Sequence, residues 1–152
     1  MFALKPDEPL PDLSKLPPEL IEFESPPGTY FDAFPLLVMT DASLAQLQKL
    51  APSAAIDVRR FRPNLLVAAD HEAGGFVEVA WVGKKLRVGD AVIAIEMSCP
   101  RCVMTTLEFD DLPHDPSIMR TLVREAAQCI GAYASVVEPG AVAVGDRVEV
   151  IS

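Results

Sequence analysis

Basic residues are scarce in this chain. Thirteen lysines and arginines stand against twenty-two aspartates and glutamates in 152 residues, a formal net charge of −9. Nucleic-acid binding needs a basic face to neutralise phosphates, so that class of partner is disfavoured. Any anion site must be a local cluster acting against the global field, and Arg59, Arg60 and Arg62 are the one such cluster. Cysteine is also scarce: Cys99, Cys102 and Cys129 do not make a disulfide framework. No apolar run approaches the ~18–20 residues of a membrane span. The acidic, proline-rich start has no apolar core of a secretory leader. These absences predict a soluble protein of a reducing, cytoplasmic compartment, with no membrane partner. There is no G-x-S-x-G nucleophile elbow, no second C-x-x-C and no H-x-x-H, and His71 and His114 stand isolated in loops.

What is present is a hydrophobic half, enough for one domain with a real core. Fourteen prolines fix many turns, and seven of them fall within residues 1–28. That density excludes a long helix or a central strand there. The segment reads as an extended arm, with one strand at Leu20–Phe23, leading into a domain over 29–152. Pro35 starts a short buried strand at Leu36–Met39, and Thr40 or Asp41 caps a helix that Pro52 closes. Leu44, Leu47 and Leu50 form its apolar stripe.

The alternation Ile56, Val58 against Asp57, Arg59 predicts a strand over 56–60, broken by Arg62-Pro63-Asn64. Leu65–Ala69 reads as a buried strand, and Phe76–Trp81 is ambiguous between strand and helical turn. Val-Gly-Asp occurs at 88–90, before the strand Ala91–Met97, and again at 144–146, before Arg147–Ile151. Gly89 and Gly145 should take positive φ in tight turns. Ser117 is the expected N-cap of a helix over 118–129 whose buried face carries Ile118, Leu122, Ala126 and Cys129, with Gly131 as its stop. Tyr133–Val137 is a further strand. The sum is a mainly β, barrel-like α+β domain with two short helices.

The chemistry concentrates in Ser98-Cys99-Pro100-Arg101-Cys102-Val103-Met104-Thr105-Thr106. A C-x-x-C can be a metal clip, a redox dithiol, or one working thiol beside a bystander. A zinc clip needs about four ligands, and only two are in sight. A redox dithiol opens a helix, whereas Val103–Thr106 is β-prone. One thiolate as ligand to a soft metal centre is coherent, because the Arg101 charge beside Cys102 favours the thiolate. Arg62 with Asn64, held by Pro63, can present a planar fork and an amide to a phosphate or a heterocycle. The same residues would also suit a solvated strand end.

Residues 59–67 (RRFRPNLLV), 81–92 (WVGKKLRVGDAV), 99–107 (CPRCVMTTL) and 130–150 (IGAYASVVEPGAVAVGDRVEV) together resemble the MOSC domain, in order and over about residues 28–151. The resemblance implies a twisted β-barrel and a molybdenum cofactor, Mo-molybdopterin. It implies Cys102 as the metal ligand and catalytic residue, with Cys99 a bystander. Arg62, Asn64, Pro100, Arg101 and Tyr133 would contact the cofactor, with Ala33 and Phe34 as a main-chain contact. The activity implied is two-electron removal of an oxygen atom from a small N-hydroxylated or N-oxygenated compound. It would need an external flavin or iron–sulfur electron donor, since no such site is visible here. A non-catalytic carrier of sulfur or of the cofactor is the alternative class, and the family is also associated with pyridoxal phosphate. A self-associating edge strand or the proline arm would make a homo-oligomer.

Overall fold

The computed structural model describes residues 33–69 and 74–151. The chain divides into two compact units, 1–33 and 34–152, and the fold below is that of the second. The expected arm over 1–28, its strand at Leu20–Phe23, and His71 lie outside the described residues.

Six strands and two α-helices make up the described fold: β1 (Leu36–Thr40), α1 (Asp41–Leu50), β2 (Leu65–Val67), β3 (Lys85–Val88), β4 (Ala91–Pro100), α2 (Pro116–Glu125), β5 (Cys129–Glu138) and β6 (Val148–Ile151). They form one sheet in the order β2-β1-β5-β4-β3-β6. Only β1 and β2 run parallel; the other neighbours are antiparallel. Register shifts between β4 and β5 at Val92/Ile93, Ile95/Met97 and Ser98/Pro100 add local twist, and the sheet curls into a half-barrel. This is the mainly β, α+β architecture the sequence predicts.

Alternation decides which faces are buried. In β3, Leu86 and Val88 point inward while Lys85 and Arg87 face solvent. These two pack with Val38, Ile93, Ile95, Ala132 and Ala134, and Trp81 and Val148 close over the cluster. Gly89 turns β3 into β4 at φ 55°, and a Cβ there would collide with the Asp146 carboxylate. Gly145 also takes positive φ, as expected.

Thr40 caps α1 as expected, its hydroxyl accepting from the Ser43 N–H at 3.0 Å. Leu47 is fully buried, while Leu44 and Leu50 are half-buried. Elsewhere side chains override the periodicity. The expected strand at 56–60 is a 3₁₀ turn, Val58–Arg60, because the Asp57 carboxylate accepts from the Arg59 N–H and captures the backbone. The β-prone Val103–Thr106 is also a 3₁₀ turn. There the hydroxyls of Thr105 and Thr106 reach back three residues to the carbonyls of Cys102 and Val103. β2 is shorter than expected and sits at the sheet edge with Leu66 exposed.

The second helix is corrected at both ends. Asp115, not Ser117, is the N-cap, with Pro116 at the first helical position, where its missing N–H costs nothing. The helix stops at Glu125, and Ala127 and Gln128 take left-handed φ of 47° and 69°. The Gln128 N–H then closes back on the Leu122 carbonyl at 2.8 Å. Cys129 therefore opens β5, half-buried rather than on the buried helix face, and Gly131 lies inside that strand rather than ending the helix.

Candidate functional site

The C-x-x-C separates its two thiols by environment. Cys99 is buried at the end of β4, its Sγ directed at the Pro100 carbonyl 3.7 Å away. Pro100 ends the strand, paired with Cys129. Cys102 is exposed and caps the 3₁₀ turn Val103–Thr106.

Arg101 between them turns inward. Its N–H donates to the Gln128 carbonyl at 2.9 Å, and the Gln128 amide donates back to the Arg101 carbonyl at 2.8 Å. Its guanidinium donates from Nε to the Ile130 carbonyl at 2.9 Å and from Nη1 to the Phe61 carbonyl at 3.3 Å. It also sits 5.4 Å over the Phe61 ring. Burial pushes the guanidinium below its ordinary pKa, while Cys99, Tyr133, Cys102 and Glu78 pull it back up. In this structure Arg101 is a brace joining the Cys102 segment to the segment that carries Arg62.

The arginine cluster splits three ways. Arg60 is buried, and its guanidinium donates to the carbonyls of Ala55, Thr105, Leu107 and Pro113. Arg59 is ion-paired with Asp57, Asp110 and Asp111 at 2.7–3.2 Å. Its hydrogen bonds hold the Asp57 and Asp111 carboxyls below their ordinary pKa. Arg62 is exposed at φ 53°; its N–H donates to the Val58 carbonyl at 3.1 Å, but its guanidinium makes no hydrogen bond or ion pair among the described residues. Of the three, Arg62 is thus the one whose guanidinium has no partner among the described residues.

Beside it lies a cavity of about 840 Å³. Arg62, Pro63 and Asn64 form one wall, and Met104, Leu107 and Phe109 form another. Cys102 heads the turn that carries Met104 into that wall. Asn64 is already engaged: its Oδ1 accepts from the Leu37 N–H at 2.8 Å, and its own N–H donates to the Leu37 carbonyl at 2.9 Å. That double clip fixes the wall to β1. Tyr133 is buried in β5, its ring against Phe34 with centroids 5.7 Å apart. Ala33 is the last residue of the other unit.

The sequence reading missed Glu78. It is fully buried in the 3₁₀ turn Val77–Trp81, and accepts from the hydroxyls of Thr40 and Ser43 and from the Gly131 N–H. The one signal was an acid inside the apolar run Phe76–Trp81. Among the described residues no three His, Cys, Asp or Glu side chains gather as a metal site. Nor is any described helix long and apolar enough to cross a membrane.

A family model described as the MOSC domain matches residues 27–149. Curated relatives include mitochondrial amidoxime reducing component 2 of Macaca fascicularis and of Homo sapiens, each 31% identical over 132 residues. Mitochondrial amidoxime-reducing component 1 of Mus musculus is 27% identical. These matches cover 78% of this chain but only 37–38% of each relative, so the chain spans well under half their length. Among solved structures, YiiM from Escherichia coli matches with a TM-score of 0.56 at 21% identity. YiiM from Geobacillus stearothermophilus matches with 0.58 at 11%, and each match covers 78% of this chain and 55% of the other. These two likenesses concern the fold.

Proposed function

The chain belongs to the MOSC domain family, and on that premise we propose that it binds a molybdenum cofactor and reduces N-oxygenated small molecules. The observation that carries this reading is one exposed thiol, Cys102, at the head of the turn whose Met104 lines a cavity together with Arg62, an arginine whose guanidinium has no partner among the described residues. The donor set fits such a group. A bare ion needs several protein ligands, and no such cluster exists among the described residues. A cofactor that brings its own ligands needs only one thiolate from the protein.

Cys102 would supply that thiolate. Arg62 would take an anionic group of the cofactor, with the amide nitrogen of Asn64 beside it. Pro100 and Arg101 would set the path of the backbone into Cys102, and Tyr133 with Phe34 would back the site. Met104, Leu107 and Phe109 would give the cavity an apolar side. When bound, the molybdenum centre supplies the two-electron chemistry that removes an oxygen atom from nitrogen. The electrons would come from a separate flavin or iron–sulfur protein. The names of the curated relatives support the amidoxime class of substrate.

The test is metal and pterin content of the full chain purified from a cofactor-producing host. Wild type should carry molybdenum and pterin in equal amounts. Cys102→Ala should lose most of the metal, and Arg62→Ala should lose pterin. Reduction of an N-hydroxy compound with a chemical electron donor should follow metal content. Equal molybdenum in wild type and Cys102→Ala would sink the assignment.

A further inference from the structure

The fully buried carboxylate of Glu78 and the part-buried guanidinium of Arg101 grip opposite ends of one peptide group. Glu78 Oε1 accepts from the Gly131 N–H at 2.8 Å. The carbonyl of that same peptide, Ile130 O, accepts from Arg101 Nε at 2.9 Å. An anion at the N–H end and a cation at the C=O end polarise the peptide in the same sense, so each hydrogen bond strengthens the other. The other carboxylate oxygen is held by the Thr40 and Ser43 hydroxyls at the start of α1. Gly131 is required at the junction: its φ is 85°, and a Cβ there would lie 2.9 Å from the Met39 Cγ.

We propose that Glu78 is a positioning residue for Cys102, acting through peptide 130–131 and Arg101. The buried carboxylate anchors the peptide, the peptide anchors the guanidinium, and the guanidinium fixes the backbone that presents the thiol. Because Arg101 also donates to the Phe61 carbonyl, the same relay sets the Arg62–Asn64 wall relative to Cys102. This role rests on Cys102 being the working thiol, but the relay is testable without any cofactor.

The experiment is hydrogen exchange by mass spectrometry on the full chain, made in a host without molybdenum cofactor. Glu78→Gln keeps the side-chain shape and removes the charge. It should speed exchange over Arg101–Thr106 by about threefold, and Arg101→Met by about tenfold. The double variant should match Arg101→Met alone, because the two act in series. A packing role for Glu78 would lower Tm and leave Arg101–Thr106 at the wild-type rate; that result overturns the proposal. So does a double variant whose exchange exceeds Arg101→Met by the factor Glu78→Gln shows alone. Should Glu78→Gln fail to fold, Glu78→Asp replaces it, keeping the charge but falling a methylene short of the peptide, and the same two readings apply. Metal loading is measured separately, so failure of Cys102 to hold molybdenum leaves the exchange result standing.

Discussion

Arg60 devotes its guanidinium to four main-chain carbonyls, from Ala55 to Pro113. It pins the turn before the cavity wall to the segment after Cys102. Arg60→Met would leave those carbonyls unsatisfied and should cost about 3 kcal/mol or more, read as a fall in the urea midpoint. Asp115 makes a second residue-scale prediction. Burial works against its charge, yet hydrogen bonds from the Ser117 hydroxyl and N–H prevail and hold its carboxyl below the ordinary 3.8. A depressed carboxylate contributes stability that is complete above the unfolded value and is lost as pH falls through the folded one. Wild type should therefore lose stability below about pH 4, and Asp115→Ala should flatten that part of the curve. At pH 7 the lost cap should cost about 1 kcal/mol. Neither role was legible beforehand. Arg59, Arg60 and Arg62 are chemically alike and nearly adjacent, and only the fold sorts them into an ion pair, a carbonyl anchor and a guanidinium with no partner among the described residues.

Elements were legible where apolar spacing had nothing to compete with. β1, the Thr40 cap of α1, and the two Val-Gly-Asp turns follow from Pro35, the capping hydroxyl and the glycines. The reading failed where a short polar side chain caught its own backbone: Asp57 made a 3₁₀ turn from an alternating stretch, and the Thr105 and Thr106 hydroxyls did the same after Cys102. Gly131 follows a helix and so resembled its stop, but what demands glycine is close approach to Met39 and Leu37 in β1. Gly131→Ala should therefore destabilise by about 2–4 kcal/mol, combining left-handed strain with overpacking, where a simple helix stop would cost closer to 1. Thermal unfolding separates the two. Of the candidate site, Cys102 heads a 3₁₀ turn where β-prone backbone was expected, and Arg62 lines a cavity. Arg101 and Asn64 are committed to the main chain, which no motif announces.

At the scale of the whole molecule, the net charge of −9 and the commitment of Arg59 and Arg60 leave little basic surface. The protein should pass through a heparin column at physiological salt, and retention would contradict this account of the arginines. The sheet order has a further consequence. β1 meets β2 in parallel close by in the chain, but Val38 pairs on its other side with Ala132, about ninety residues further on, and contacts of such separation slow folding. Trp81, the sole tryptophan, packs against the core and reports its closure. Its fluorescence should recover after dilution from urea in milliseconds to seconds rather than microseconds. On the ribosome the delay is longer, because synthesis proceeds at roughly 5–20 residues per second. The nascent chain must hold Leu37 and Val38 unpaired on one flank until β5 has left the exit tunnel, and for those seconds it is a client for chaperones.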